Sequence, residues 1–246
     1  MSSCPPGAGA IKTVEPRPGV RPPHSGLNNL SGKPSEQRWF VDDDQGRQTR
    51  EYSRQDWLRY RSFYLSLVEK TDRLLGVVLD TIGHSPATAV VYTTDHGDAL
   101  GEHGLPYKGP FMYEELIRIP WIISTPGFTA RHRDDFVRQT DLAPTLASLA
   151  GLRWPSSTDG RDLTQPGPAP DAVLLEYYAK QQHVNPIRTI RTRRWKLNWY
   201  DSGHKELYDL QVDPHELTNL AGRAPVPSEL ERRLDAWRPP LTRPQA

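Results

Sequence analysis

The strongest constraint on this chain is a change of hydrophobic period near its middle. From Ser53 to Gly83, apolar residues return every three or four positions, through Trp57, Tyr60, Tyr64, Leu67, Val68, Leu74, Leu75, Val78, Leu79 and Ile82. Arg54, Arg59, Glu69, Lys70, Asp72 and Asp80 fill the gaps, so the segment reads as one long amphipathic helix. Ser53 with Asp56 forms a capping box in which Asp replaces the usual Glu, and Gly83 is placed to end the helix. Next comes Ala87-Thr-Ala-Val-Val-Tyr-Thr-Thr94, β-branched and apolar without alternation, as expected of a strand buried on both faces of a parallel sheet. Helix then buried strand is the order of an α/β fold. Ile119-Pro-Trp-Ile-Ile-Ser124 is a second such strand, stopped by Pro126-Gly127. Asp141 is placed to cap a short helix from Leu142 to Ala150, which tolerates Pro144 in its first turn and closes at Gly151.

The flanks have other textures. Seven of the 24 prolines precede Ser35, and residues 1–50 lack any apolar period, which reads as a loop or linker lead-in. Within it, Asp42-Asp43-Asp44 is a solvated carboxylate run rather than a metal cluster. Residues 51–165 carry the α/β core. Residues 166–246 read as a small α+β subdomain, in which Arg188–Thr192 and Trp195–Tyr200 alternate and form an antiparallel pair, followed by a helix from Ser228.

Several function classes are excluded by composition. With 31 Lys+Arg against 30 Asp+Glu, a net charge of +1 offers no general reason to bind nucleic acid or an anionic membrane. No apolar run approaches the roughly 20 residues of a membrane span. One cysteine, Cys4, excludes an internal disulfide framework. The N-terminus has neither a signal-peptide nor a transit-peptide pattern, so the chain as it stands is expected in the cytoplasm, with the location of any longer form unknown.

The chemistry is concentrated in Thr94-Asp-His-Gly-Asp-Ala-Leu-Gly-Glu-His-Gly-Leu-Pro-Tyr-Lys-Gly-Pro110, directly after the buried strand. Open α/β sheets bind ligands beyond the carboxyl ends of their strands. Asp95 and His96 offer an oxygen and a nitrogen to a divalent cation, given a backbone turn that Gly97 permits. Lys108 is a point charge suited to a tetrahedral oxyanion. His103 is a candidate proton donor to a leaving group.

Together these residues resemble the sulfatase family of the alkaline phosphatase-like superfamily. The resemblance runs through the Asp95-His-Gly turn, Gly101-Glu-His-Gly104, Lys108-Gly109, Tyr113-Glu-Glu115 and Arg118-Ile-Pro120. It continues through Thr140-Asp-Leu-Ala-Pro-Thr145, Asp159-Gly-Arg-Asp-Leu163, Glu206-Leu-Tyr-Asp-Leu210 and Glu216-Leu-Thr-Asn-Leu220, and spans roughly Leu30 to Ala221. It implies part of an alkaline phosphatase-like α/β/α sandwich, lacking its N-terminal half, with the small antiparallel α+β subdomain at its C-terminal end. It implies sulfuric ester hydrolysis, with Asp95 and His96 as metal ligands and Lys108 on the substrate sulfate. Family analogy favours Ca²⁺, while the imidazole shifts preference toward Mn²⁺ or Zn²⁺. Glu114, Glu115 and Arg118 are read as packing or ion-pair residues.

Two family features have no counterpart. A strand with two further acidic ligands is absent, and so is the Cys/Ser-x-Pro-x-Arg motif whose Cys or Ser becomes the formylglycine nucleophile. The strings at Cys4 and at Ser124-Thr-Pro-Gly-Phe128 lack the required Arg. Asp95 and His96 are then half of a metal site, and no covalent intermediate can form on this chain alone. A sheet short of strands would also leave apolar faces uncovered. The expected substrate is a sulfate-ester small molecule or glycan, and a separate chain is a candidate source of the N-terminal half. A phosphoester or phosphonate hydrolase of the same superfamily and a non-catalytic anion-binding remnant are the competing readings.

Overall fold

The structure is a computed structural model in which residues 11–25, 30–83, 85, 87–130, 132–155, 158–180 and 183–237 are described. Cys4 lies outside the described residues. The described helices are α1 (Ser35–Asp43), α2 (Arg54–Ile82), the short α3 (Glu114–Ile117), α4 (Leu142–Leu149) and α5 (Ser228–Ala236). The strands are β1 (Val90–Thr93), β2 (Trp121–Ser124), β3 (Ala172–Lys180), β4 (His183–Thr192), β5 (Trp195–Tyr200) and β6 (Lys205–Asp209). Two compact units result. One comprises Met1–Gly83, His96–Arg118 and Leu174–Ala246, and the other His84–Asp95 and Ile119–Val173.

Helix α2 starts and stops where its sequence directs. The Ser53 hydroxyl accepts the Asp56 N–H while the Asp56 carboxylate accepts the Ser53 N–H, and Gly83, at φ 60°, donates its N–H to the Leu79 carbonyl. Trp57 and Tyr60 are buried against Ile11 and Tyr52. Beyond Tyr64 the same apolar stripe is exposed, with Leu74 57% and Val78 54% accessible.

The first unit is built on a four-stranded sheet of order β3-β4-β5-β6, in which β4 and β5 pair antiparallel with Ile190 opposite Leu197, and β5 and β6 with Leu197 opposite Leu207. The expected hairpin is present. Its core joins Phe40, Val41, Leu105, Phe111, Tyr113, Leu116 and Tyr208. A buried carboxylate sits inside this apolar setting. Glu206 accepts hydrogen bonds from Gln37 Nε2 (2.9 Å), Asn198 Nδ2 (3.1 Å), Tyr200 (2.7 Å) and Tyr208, while Tyr113 donates to Gln37 Oε1 (2.7 Å). Both carboxylate oxygens are thereby hydrogen-bonded, which is the condition for tolerating the group in the interior.

The second unit corrects one expectation. β1 and β2 pair with each other antiparallel, Val90 opposite Ser124 and Thr93 opposite Trp121, and form a two-stranded sheet rather than members of a parallel one. Tyr92 and Ile122 stand exposed on it. An unbroken apolar run is the mark of strands that neighbours cover on both faces, and among the described residues those neighbours are lacking. The capping residue of α4 is also used differently. Asp141 occupies the N-cap position but makes no side-chain bond into α4. Fully buried, its carboxylate accepts the Arg138 N–H (2.9 Å), Arg138 Nη2 (3.0 Å) and the Arg161 N–H (2.8 Å), tying the turn Gln139–Asp141 to the loop at Arg161.

Candidate functional site

The segment that leaves β1 is held at each step by contacts its residues make specific. Gln139 Nε2 donates to the carbonyls of Thr94 (3.1 Å) and Asp95 (2.8 Å), and the Thr94 hydroxyl donates to Asp95 Oδ1 (3.2 Å). The exposed His96 follows. Its Nδ1 lies 2.8 Å from the Gly97 carbonyl oxygen. A carbonyl only accepts, so Nδ1 is the donor in this contact. Gly97 is required for a reason other than a permissive turn. Its N–H donates to the Leu116 carbonyl (2.8 Å), and a Cβ there would lie 1.9 Å from the Glu115 carbonyl oxygen. The constraint is close backbone approach, which only glycine allows.

From Asp98 the chain forms a compact loop. Asp98 Oδ1 accepts the Leu100 N–H (2.9 Å), and burial pushes the Asp98 carboxyl above its usual range. The Ala99 N–H bonds to the Tyr107 carbonyl and the Gly101 N–H to that of Leu105. At Gly101, with φ 88°, a side chain would strike the Trp57 ring. Glu102 is buried and accepts the N–H groups of His24 and Ser25 and a 2.6 Å bond from Arg61 Nη2. Burial alone would raise its pKa, but the Arg61 and backbone hydrogen bonds outweigh that and hold it at about 2. The loop then delivers Lys108 to the surface between two left-handed residues, Tyr107 at φ 59° and Gly109 at φ 52°. Among the described residues Lys108 has no ion-pair partner.

His103 is placed otherwise. Its side chain is 1% accessible, its ring stacks on Tyr113 at 3.8 Å, and neither ring nitrogen has a hydrogen-bond partner among the described residues. Burial, reinforced by the nearby Lys33, pushes its pKa down to about 3. A proton donor must be charged and within reach of substrate, and this imidazole is neutral and enclosed.

Of the remaining candidates, His96 and Lys108 belong to one compact unit and Asp95 to the other. Among the described residues no group of three or more His, Cys, Asp or Glu side chains is disposed to hold a metal ion. Two side chains of suitable donor type are therefore present at this strand end, and among the described residues a full coordination shell is not.

Glu114 is an ion-pair residue as expected, but the cluster it joins has partners the sequence pattern did not point to. Lys196 is wholly buried within β5, with Nζ 2.5 Å from Glu216 Oε1 and 3.3 Å from Glu114 Oε1. Arg191 adds a 2.9 Å pair to Glu114, and Glu216 Oε2 accepts the Glu114 N–H at 2.7 Å. This ionic network fastens α3 to the sheet.

These features of order and placement match known sequences. The description "Sulfatase" fits residues 21–152, and "N-sulphoglucosamine sulphohydrolase, C-terminal" fits residues 101–238. The chain belongs to the sulfatase family. Within it, this sulfatase-family chain is 32% identical over 179 residues to choline-sulfatase of Rhizobium meliloti, covering 68% of itself and 35% of that protein. It is 35% identical over 185 residues to N-acetylglucosamine-6-O-sulfatase of Bacteroides thetaiotaomicron, covering 69% of itself and 33% of that relative. A solved putative sulfatase from Bacteroides thetaiotaomicron superposes with a TM-score of 0.77 at 26% identity, covering 93% of this chain and 54% of the other. The fold is thus the alkaline phosphatase-like one, and this sulfatase-family chain spans about a third of the two curated relatives and about half of the solved one. Among the described residues no helix is long and apolar enough to cross a membrane.

Proposed function

We propose that this chain carries the metal- and oxyanion-binding half of a sulfuric ester hydrolase site, with Asp95 and His96 as ligands to a divalent cation, Ca²⁺ first, and Lys108 on the substrate sulfate. The observation that supports it is the geometry at the end of β1, where Gln139 holds the Asp95 carbonyl and His96 Nδ1 lies 2.8 Å from the Gly97 carbonyl oxygen. Bound there, the cation supplies charge stabilisation to the sulfuryl oxygens. Lys108 adds a mobile ammonium on an exposed turn, which suits capture of a tetrahedral anion from solvent. Asp95 supplies a hard oxygen donor on a backbone clamped by Gln139. The substrate class is a sulfate ester of a small alcohol or an amino sugar, in keeping with the sulfatases of choline and of N-acetylglucosamine that the chain resembles.

The sequence contains no Cys/Ser-x-Pro-x-Arg, so on this reading the formylglycine nucleophile and the other ligands come from outside these 246 residues, with a separate chain as one candidate source. The test has two arms. The purified chain is expected to release no product from an aryl sulfate, yet to bind sulfate in the presence of divalent cation, with binding lost in Lys108→Ala and Asp95→Asn. Turnover by the chain alone that survives Cys4→Ala overturns the division of the site, and sulfate binding indifferent to both substitutions overturns the assignment of residues. The absence of a third ligand among the described residues favours one second reading, a non-catalytic anion-binding remnant, which predicts cation-independent sulfate binding through Lys108.

A further inference from the structure

We propose that the second unit carries a small-molecule site of its own, a cavity suited to one neutral sugar ring and lined by none of Asp95, His96 and Lys108. The cavity, about 270 Å³, lies between α4 and the loop that follows it. Trp154 lines it with 44% of the residue accessible, and so does Leu152, 67% accessible. The Trp154 Nε1–H is committed to Thr158 Oγ1 at 2.9 Å, so what the indole offers a ligand is its face. Ser148, Thr158 and Asp162 line the same cavity and supply two hydroxyls and a carboxylate. An aromatic face ringed by such groups matches a pyranose, whose C–H face packs on the ring while its hydroxyls donate and accept hydrogen bonds. Pockets for drug-sized ligands begin near about 300 Å³, so this one has room for a single ring rather than an extended chain.

The lining is fixed before a ligand arrives. Gly160 packs so closely that a Cβ would lie 2.0 Å from the Thr140 carbonyl oxygen. The residues after it are fastened in turn: the Arg161 N–H to Asp141 Oδ1 at 2.8 Å, the Leu163 N–H to Thr145 Oγ1 at 3.0 Å and the Thr164 N–H to Asp162 Oδ1 at 2.9 Å. A preformed wall lowers the ordering cost of binding. Burial alone would raise the Asp162 pKa, but hydrogen bonds from Ser148 and Thr164 outweigh it and hold the carboxyl below its usual range. The charged carboxylate repels sulfate and other anions and calls for a ligand that donates hydrogen bonds. A proline-rich segment also packs on tryptophan, but proline has no N–H to give, so the carboxylate favours the sugar.

The experiment titrates the ¹⁵N-labelled full chain with N-acetylglucosamine and follows the amide shifts and the Trp154 indole N–H resonance. An open cavity for one ring is expected to bind with a dissociation constant on the order of 1 mM, so the titration runs to about 50 mM. Shifts are expected to be confined to residues 144–164. Trp154 is exposed, so Trp154→Ala is expected to keep the fold, with unchanged amide shifts outside that segment as the check, and to weaken binding by about tenfold or more. Asp162→Asn keeps an acceptor for Thr164 but loses the charge, and is expected to weaken binding by about threefold. No shift at these amides by the end of the titration, or equal binding in wild type and Trp154→Ala, overturns the site. Tighter binding of N-acetylglucosamine 6-sulfate at the same amides overturns its assignment to a neutral ring. Shifts produced there by a penta-proline peptide and not by the sugar assign the cavity to a peptide and overturn the proposal.

Discussion

Glu216 gives the fold a pH dependence that a single substitution isolates. It is fully buried with φ 54°, against Lys196 at 2.5 Å, and its Oε2 accepts the Glu114 N–H. Burial pushes its pKa up, the Lys196 ammonium pulls it down, and burial prevails at about 7. The folded-state value thus lies above the unfolded one, so the folded protein binds the extra proton between pH 4.5 and about 7. Stability from this group is complete below pH 4.5 and is lost as pH rises through 7. At about 1.4 kcal/mol per pH unit the loss totals about 3 kcal/mol. Glu216→Gln keeps an acceptor for Glu114 and Lys196 but cannot ionise. Its stability relative to wild type is expected to grow by about 3 kcal/mol between pH 4.5 and 7.5. His103 has the opposite sense, because burial lowers it to about 3 and its contribution is lost as pH falls below 6.5. Present in both proteins, it cancels in the difference. The assay is equilibrium urea unfolding of both proteins at half-unit pH intervals, followed by tryptophan fluorescence. A difference constant to within about 0.5 kcal/mol across that range refutes the argument that burial outweighs the Lys196 pair.

Three further outcomes follow from single contacts. Glu206→Ala strands the donors of Gln37, Asn198, Tyr200 and Tyr208 in the interior. At about 1 to 3 kcal/mol for each buried group left unsatisfied, it is expected to cost 4 kcal/mol or more, on the order of half the stability of a typical domain, measured by urea unfolding. Gly97→Ala drives a methyl into the Glu115 carbonyl and is expected to lose about 2 kcal/mol, with amide shifts at 95–98 and 114–117. Lys108→Ala removes an exposed side chain, so the urea midpoint is expected to move by less than about 0.5 kcal/mol while sulfate binding, read by calorimetry, disappears.

What the sequence made legible follows local rules. The capping box at Ser53, the Gly83 stop and the β4–β5 hairpin each depend on a few adjacent residues, and each is found where its pattern lies. What stayed hidden depends on contacts distant in sequence. Lys196 alternates with Trp195 and Leu197 as an outward strand residue would, yet it is buried because Glu114 and Glu216 meet it there. His103 sits in a polar, glycine-rich string that reads as a surface turn, and its left-handed backbone, φ 57°, turns the ring inward onto Tyr113. The parallel-sheet expectation rested on composition, which reports how apolar a strand is and not which neighbours cover it. Gln139 carried no sequence signal, since its value lies in reaching a strand end 44 residues away.

The exposed half of α2 tests the same distinction between pattern and cover. Residues 54–62 hold Trp57, Tyr60 and Ser62 buried, whereas Leu67, Val68, Leu74, Val78, Leu79 and Ile82 extend one apolar stripe into solvent. Their spacing encodes a packed helix, but helical propensity without a packed face is marginal in water even over about 15 residues. The charged residues opposite, Glu69, Lys70 and Asp72, add only tenths of a kcal/mol. In the isolated chain the amides of residues 66–82 are therefore expected to open locally, with hydrogen-exchange protection of order 10-fold, against roughly a thousandfold or more for 57–62 and for the β4–β5 ladder. Protection of 66–82 equal to that of the ladder in a chain monomeric by light scattering would show that the stripe is covered within the chain itself. The apolar stripe of α2 would then be buried in solution rather than exposed.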